Sequence, residues 1–166
     1  MPNELEKRVQ AARAKVLGEM PDVRQDVSVS PTNQFMDRIL GIPRGTVATT
    51  NPFTGNVSYD PTLLGGMGQD ELENTLTHEF THTRQQQAEP WYKVAQKMFL
   101  PHPNYVPEGA KGPYDNNYYW NPEEMQAYQA ERDRASRLKQ NVSDPVYGSM
   151  DIPLPSMKTR KKMGVK

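Results

Sequence analysis

Five consecutive residues, His78-Glu79-Phe80-Thr81-His82, carry the parts of a metal-assisted hydrolysis. On a helix, positions i and i+4 share a face, so both imidazoles can reach one divalent ion such as zinc. The glutamate beside the first histidine then lies near an open coordination position. There Glu79 can act as general base and take a proton from water activated by the metal. The chain has three histidines, and two of them stand in this string. It has no cysteine, which excludes thiolate ligands and disulfides and leaves the redox compartment open.

A catalytic zinc normally takes three protein ligands and keeps one position open. A third histidine six residues beyond the second would need glycine at 85 and histidine at 88; Gln85 and Ala88 stand there instead, which excludes the metzincin extension. The other common solution is a carboxylate from a later helix. Glu124 is the first choice and Glu123 the runner-up, and His102, between two prolines, is the remaining alternative. Glu124 also sits three residues after Asn121, where a capping-box glutamate would sit, and spacing alone does not separate the two roles.

These side chains need rigid carriers. Asp70 with Glu73 suits the start of a helix, Gly65, Gly66 and Gly68 read as the loop before it, and Pro90 ends it. The helix is therefore expected from about Asp70 to about Gln87, with Leu72, Leu76 and Phe80 as its core stripe and His78 and His82 on an adjoining row. The second carrier opens with Asn121 as cap, Pro122 in the first turn and Glu123 and Glu124 behind it. Met125, Ala127, Tyr128, Ala135 and Leu138 are its expected inward residues, and Glu124, Ala127, Tyr128 and Glu131 share one side.

Two β-prone runs, Thr46 to Thr50 and Asn56 to Tyr59, flank Pro52 and Gly55 and predict a hairpin just before the histidine helix. An edge strand there could bind an extended peptide, or simply complete the sheet. Residues 4 to 19 read as an amphipathic helix with Leu5, Val9, Ala12 and Val16 on one face and Asn3 and Glu6 as a capping box. Packing on the domain is its plain role, and docking a protein partner is the alternative. Phe35, Ile39, Leu40 and Ile42 suggest one short buried helix, and residues 91 to 99 another. Between the two ligand helices lies a loop rich in Pro, Gly, Asn and Tyr, where Tyr114, Tyr118 and Tyr119 could aid an oxyanion or merely pack.

HEFTH followed by a downstream E-x-x-A-Y helix resembles the gluzincin branch of the zincin metallopeptidases. The run HEFTHTRQQQ is similar to the HELTHxxQQ of small metallopeptidases of phages, mobile elements and injection-system clusters. The resemblance covers roughly residues 45 to 135. It implies His78, His82 and Glu124 on Zn2+, Glu79 as base, and a peptide or protein as substrate. One departure stands out: the thermolysin-type pattern has an aspartate four residues after the glutamate ligand, and this chain has Tyr128. The usual carboxylate partner of a zinc histidine is thus not identified.

The expected fold is α+β, a small zincin-like domain with a short sheet, the histidine helix and the Glu124 helix. It should occupy residues 1 to 140, with residues 141 to 166 as an extended tail containing Pro145, Pro153 and Pro155. The tail carries five basic residues in its last nine, a run that is usually solvated and could also dock on an acidic partner or nucleic acid. Hydrophobic content of 35% and a mean hydropathy of -0.86 imply a modest core. A formal net charge of zero gives no general attraction to nucleic acid. No secretory or membrane-spanning segment is visible, so a cytoplasmic or virion-associated location is expected. The rival to an enzyme is a non-catalytic structural or interaction protein, such as a phage virion component, on the same scaffold.

Overall fold

The computed structural model describes residues 3–32, 46–89 and 122–140. Among them are four helices and a three-stranded sheet: α1 (Glu4–Glu19), β1 (Val29–Pro31), β2 (Ala48–Thr50), β3 (Val57–Tyr59), α2 (Pro61–Gly65), α3 (Gln69–Ala88) and α4 (Pro122–Leu138). The architecture is mixed α and β. None of these helices is long and apolar enough to cross a membrane.

The first helix forms where its sequence predicts. The Asn3 side chain accepts from the Glu6 amide and Glu6 accepts from the Asn3 amide, a reciprocal cap that satisfies two otherwise orphaned donors. Val9, Ala12, Val16 and Leu17 are buried and Leu5 packs at the margin of the core, so the apolar face of α1 is taken up within the domain. The hairpin also forms. β2 pairs antiparallel with β3 in the register Ala48↔Tyr59, Thr49↔Ser58, Thr50↔Val57. At its tip the Asn51 carboxamide oxygen accepts from the amides of Phe53 and Thr54, and Gly55 takes a φ of 65°, where a Cβ would clash.

β1 is an addition to the expected layout. Val29–Pro31 pairs parallel with β3, giving the strand order β1-β3-β2. Pro31 is tolerated because it ends an outer strand. The short α2 replaces part of the expected glycine loop: Asp60 caps it by accepting from the amides of Thr62 and Leu63, and Gly65 is its last residue.

Helix α3 is the centre of the molecule and packs against α1, β2 and α4. Its start differs from expectation. Gly68 is the cap, and its amide donates to Glu71. Asp70 lies inside the first turn and accepts from Gln140, while Glu73 is drawn into the interior by Lys15 and Arg134. The end is as predicted, with Glu89 extended ahead of Pro90. Leu72, Leu76 and Phe80 are fully buried, each worth about 1.5–3 kcal/mol of apolar burial. The threonines of this helix survive burial because Thr77 and Thr81 donate to the carbonyls of Glu73 and Thr77 one turn back.

Helix α4 lies along α3 with Met125, Ala127 and Ala135 buried. Two of its expected inward residues differ. Leu138, in the last turn just before Lys139 enters positive φ, is 39% exposed. Tyr128 is half-buried, with its ring turned toward His78. Arg134 fastens the helix from its far half: its guanidinium donates to Glu19, Glu73, Asn74 and Gln140 and so joins α1, α3 and α4. The predicted Phe35–Ile42 and 91–99 helices, Asn121, His102, the three loop tyrosines and the 141–166 tail lie outside the described residues.

Candidate metal centre

Three faces of α3 serve three purposes. Leu72, Leu76 and Phe80 face the core, Glu79 and Thr83 face the hairpin, and His78 and His82 face α4. On the hairpin face the Thr50 hydroxyl stands 2.7 Å from Glu79 Oε2 and 2.9 Å from the Glu79 carbonyl oxygen. One turn on, the Thr83 hydroxyl donates to the Gly55 carbonyl at 2.8 Å. Edge strand β2 is thereby fixed beside the Glu79 carboxylate.

On the α4 face, His78, His82 and Glu124 come together as the cluster of metal-ligating side chains found among the described residues. His78 Nε2 and His82 Nε2 are 3.2 Å apart, and Glu124 Oε2 stands 3.3 Å from the first and 3.5 Å from the second. For a tetrahedral ion with ligand bonds of about 2.0–2.1 Å, neighbouring ligand atoms stand about 3.3–3.4 Å apart. The three observed edges therefore match one face of such a tetrahedron. Glu124 Oε2 is also buried without a hydrogen-bond partner among the described residues, which is costly unless a cation meets it. The donor set of two imidazoles and one carboxylate suits zinc.

Electrostatics favour positive charge at the same point. Burial alone would lower the His78 pKa, but the carboxylates of Glu124, Glu131 and Glu79 outweigh it and push His78 up to about 10. His82 is raised for similar reasons, against burial and the neighbouring His78. Burial would raise Glu124, and the two imidazoles instead hold it down at about 2.

Glu123, the runner-up ligand, is outside the cluster; its backbone carbonyl accepts from Gln85 at 3.0 Å. The site also has members that the motif does not announce. Gln85 Oε1 is 2.8 Å from His82 Nδ1. Glu131 Oε2 is 3.7 Å from His78 Nδ1, too long for a hydrogen bond but close enough for charge to act. The Tyr128 ring meets the His78 ring edge-on, with centroids 4.4 Å apart. The available signals were spacing, with Gln85 three residues after His82 and Tyr128 four and Glu131 seven after Glu124, and the presence of Gln85 and Tyr128 in the HEFTHTRQQQ and E-x-x-A-Y runs. Comparisons with family models, with curated proteins and with solved structures return no match for this chain.

Proposed function

We propose that this chain is a zinc-dependent metallopeptidase of gluzincin type, with His78, His82 and Glu124 as metal ligands and Glu79 as general base. The observation that carries the reading is the triangle of ligand atoms, with edges of 3.2, 3.3 and 3.5 Å, one corner of which, Glu124 Oε2, is buried with no hydrogen-bond partner among the described residues. When bound, zinc would supply Lewis acidity, acidifying water and polarising an amide carbonyl.

The chain's own groups do the rest. Glu79 follows His78 directly in the chain, and its charge acts on both imidazoles. The Thr50 hydroxyl holds one of its oxygens toward the strand edge. From there Glu79 takes the proton of the attacking water and delivers it to the amine nitrogen as the C–N bond breaks. The histidines are carried on a helix anchored in the core through Leu72, Leu76 and Phe80, and Glu124 on a helix that Arg134 fastens to α1 and α3.

Glu79→Gln separates the two halves of the proposal. The variant should retain one zinc per chain by elemental analysis. Its hydrolysis of a fluorogenic peptide library should fall by about 10²–10⁴-fold, the usual worth of a general base. Unchanged hydrolysis would refute the role of Glu79, and loss of zinc would show that Glu79 is a ligand.

A further inference from the structure

We infer that Gln85 is a positioning residue that locks His82 in the tautomer whose Nε2 is free for the metal, and that the first turn of α4 sets Gln85 itself. The inference rests on the zinc reading above and extends it to a residue outside the ligand set.

Gln85 Nε2 lies 3.0 Å from the Glu123 carbonyl oxygen and 3.1 Å from Gln126 Oε1. A carbonyl only accepts, so the nitrogen end of the amide must face Glu123; turned over, the amide would set two acceptor oxygens against each other. The oxygen end therefore faces His82 Nδ1 at 2.8 Å. That oxygen can only accept, so Nδ1 must carry a hydrogen. A neutral imidazole has one N–H, which leaves Nε2 with its lone pair. Nε2 is the atom that stands 3.2 Å from His78 Nε2 and 3.5 Å from Glu124 Oε2.

One amide thus ties two events together. The turn of α4 that orients Gln85 also carries Glu124, so docking of that turn delivers the carboxylate and prepares His82. His78 has no equivalent: its Nδ1 is buried without a hydrogen-bond partner among the described residues, and Glu131 reaches it only through charge. His82 is the ring that is locked in advance. A hydrogen-bonded partner of this kind makes the imidazole a stronger ligand, and losing one typically weakens metal binding 10–100-fold.

The test compares zinc affinity, by competition with a chromophoric chelator, in the wild type, Gln85→Leu and Gln85→Glu. Leucine cannot accept from Nδ1–H; glutamate can, though it gives up both N–H donors to α4. Gln85→Leu should bind zinc about 10–100-fold more weakly, and Gln85→Glu should keep wild-type affinity. If both variants weaken binding equally, the amide acts only by docking α4 and the inference is overturned; wild-type affinity in Gln85→Leu overturns it as well. If Gln85→Leu does not fold, long-range ¹H–¹⁵N spectra of the zinc-loaded wild type decide the matter. They should show His82 protonated at Nδ1 and metal-bound at Nε2, and the reverse assignment refutes the inference. A wild type that binds no zinc overturns the zinc reading and this inference together, whereas zinc binding with any contrary result above overturns the inference alone.

Discussion

Arg134→Met removes the fastening of α4 while keeping most of the side chain's aliphatic bulk. The native guanidinium is 3% exposed and donates to Glu19 at 2.9 and 3.1 Å, to Glu73 at 2.6 Å and to Asn74 at 2.9 Å. The partners do not suffer equally. Glu19 is a quarter exposed and keeps Arg137 at 3.1 Å, so its loss is small. Glu73 is 3% exposed at its side chain and retains, among the described residues, Lys15 at 2.7 Å and Gln69 at 3.2 Å. Asn74, equally buried, loses an acceptor contact. Breaking a buried ion pair by removing one partner costs roughly 3–5 kcal/mol, and the surviving half-exposed Lys15 places this case near about 3. For a domain of this size that corresponds to a Tm lower by about 10 °C. Urea titration and calorimetry of the wild type, Arg134→Met, Glu73→Gln and the double variant check it. The double variant should recover much of the loss, because the uncompensated carboxylate is gone. A loss below about 1 kcal/mol in Arg134→Met would refute the view that this network holds α4 in place.

Three further outcomes follow from the same structure. Gly55→Ala should destabilise the hairpin by about 1–2 kcal/mol in denaturant titrations, because φ is +65° and the new Cβ would stand 2.9 Å from Gln86 Oε1; a stability gain would contradict the turn geometry. Zinc must displace the proton that the raised His78 pKa of about 10 retains at neutral pH. Apparent zinc affinity in chelator-buffered solutions should therefore keep rising above pH 7, about tenfold per unit for each proton displaced, and a plateau from pH 7 upward would contradict the electrostatics described. The zinc-free protein should behave oppositely. Because the folded-state pKa of His78 is raised, its contribution to stability is complete below the ordinary histidine value and is lost as pH rises through about 10, so the zinc-free Tm should fall over that interval.

Much of the scaffold was legible because its signals are local. The Asn3–Glu6 box, the Leu72-Leu76-Phe80 stripe, the Asn51–Gly55 turn and the helix-breaking Pro90 each act within a few residues, and α1, α3 and the hairpin follow from them. The pairing of Glu124 with two histidines more than forty residues earlier was reachable only through the known logic of such motifs, since a capping glutamate has the same spacing. What spacing could not reveal depends on partners distant in the chain. β1 is a three-residue strand whose only pairing among the described residues is with β3. Glu73 reads as a cap but serves Arg134, whose buried guanidinium joins three helices. Gln85 enters the sequence only as the residue that excludes one extension and as part of the HEFTHTRQQQ run, neither of which tells what it touches, yet its amide meets His82 and two residues of α4.

The account stands on zinc at the meeting point of α3 and α4. A crystal grown with zinc and measured on both sides of the zinc absorption edge tests it most directly. One anomalous peak is predicted, about 2.0–2.2 Å from His78 Nε2, His82 Nε2 and a Glu124 carboxylate oxygen. No peak under zinc-replete conditions, or a peak held by Glu123 or His102 in place of Glu124, would contradict it.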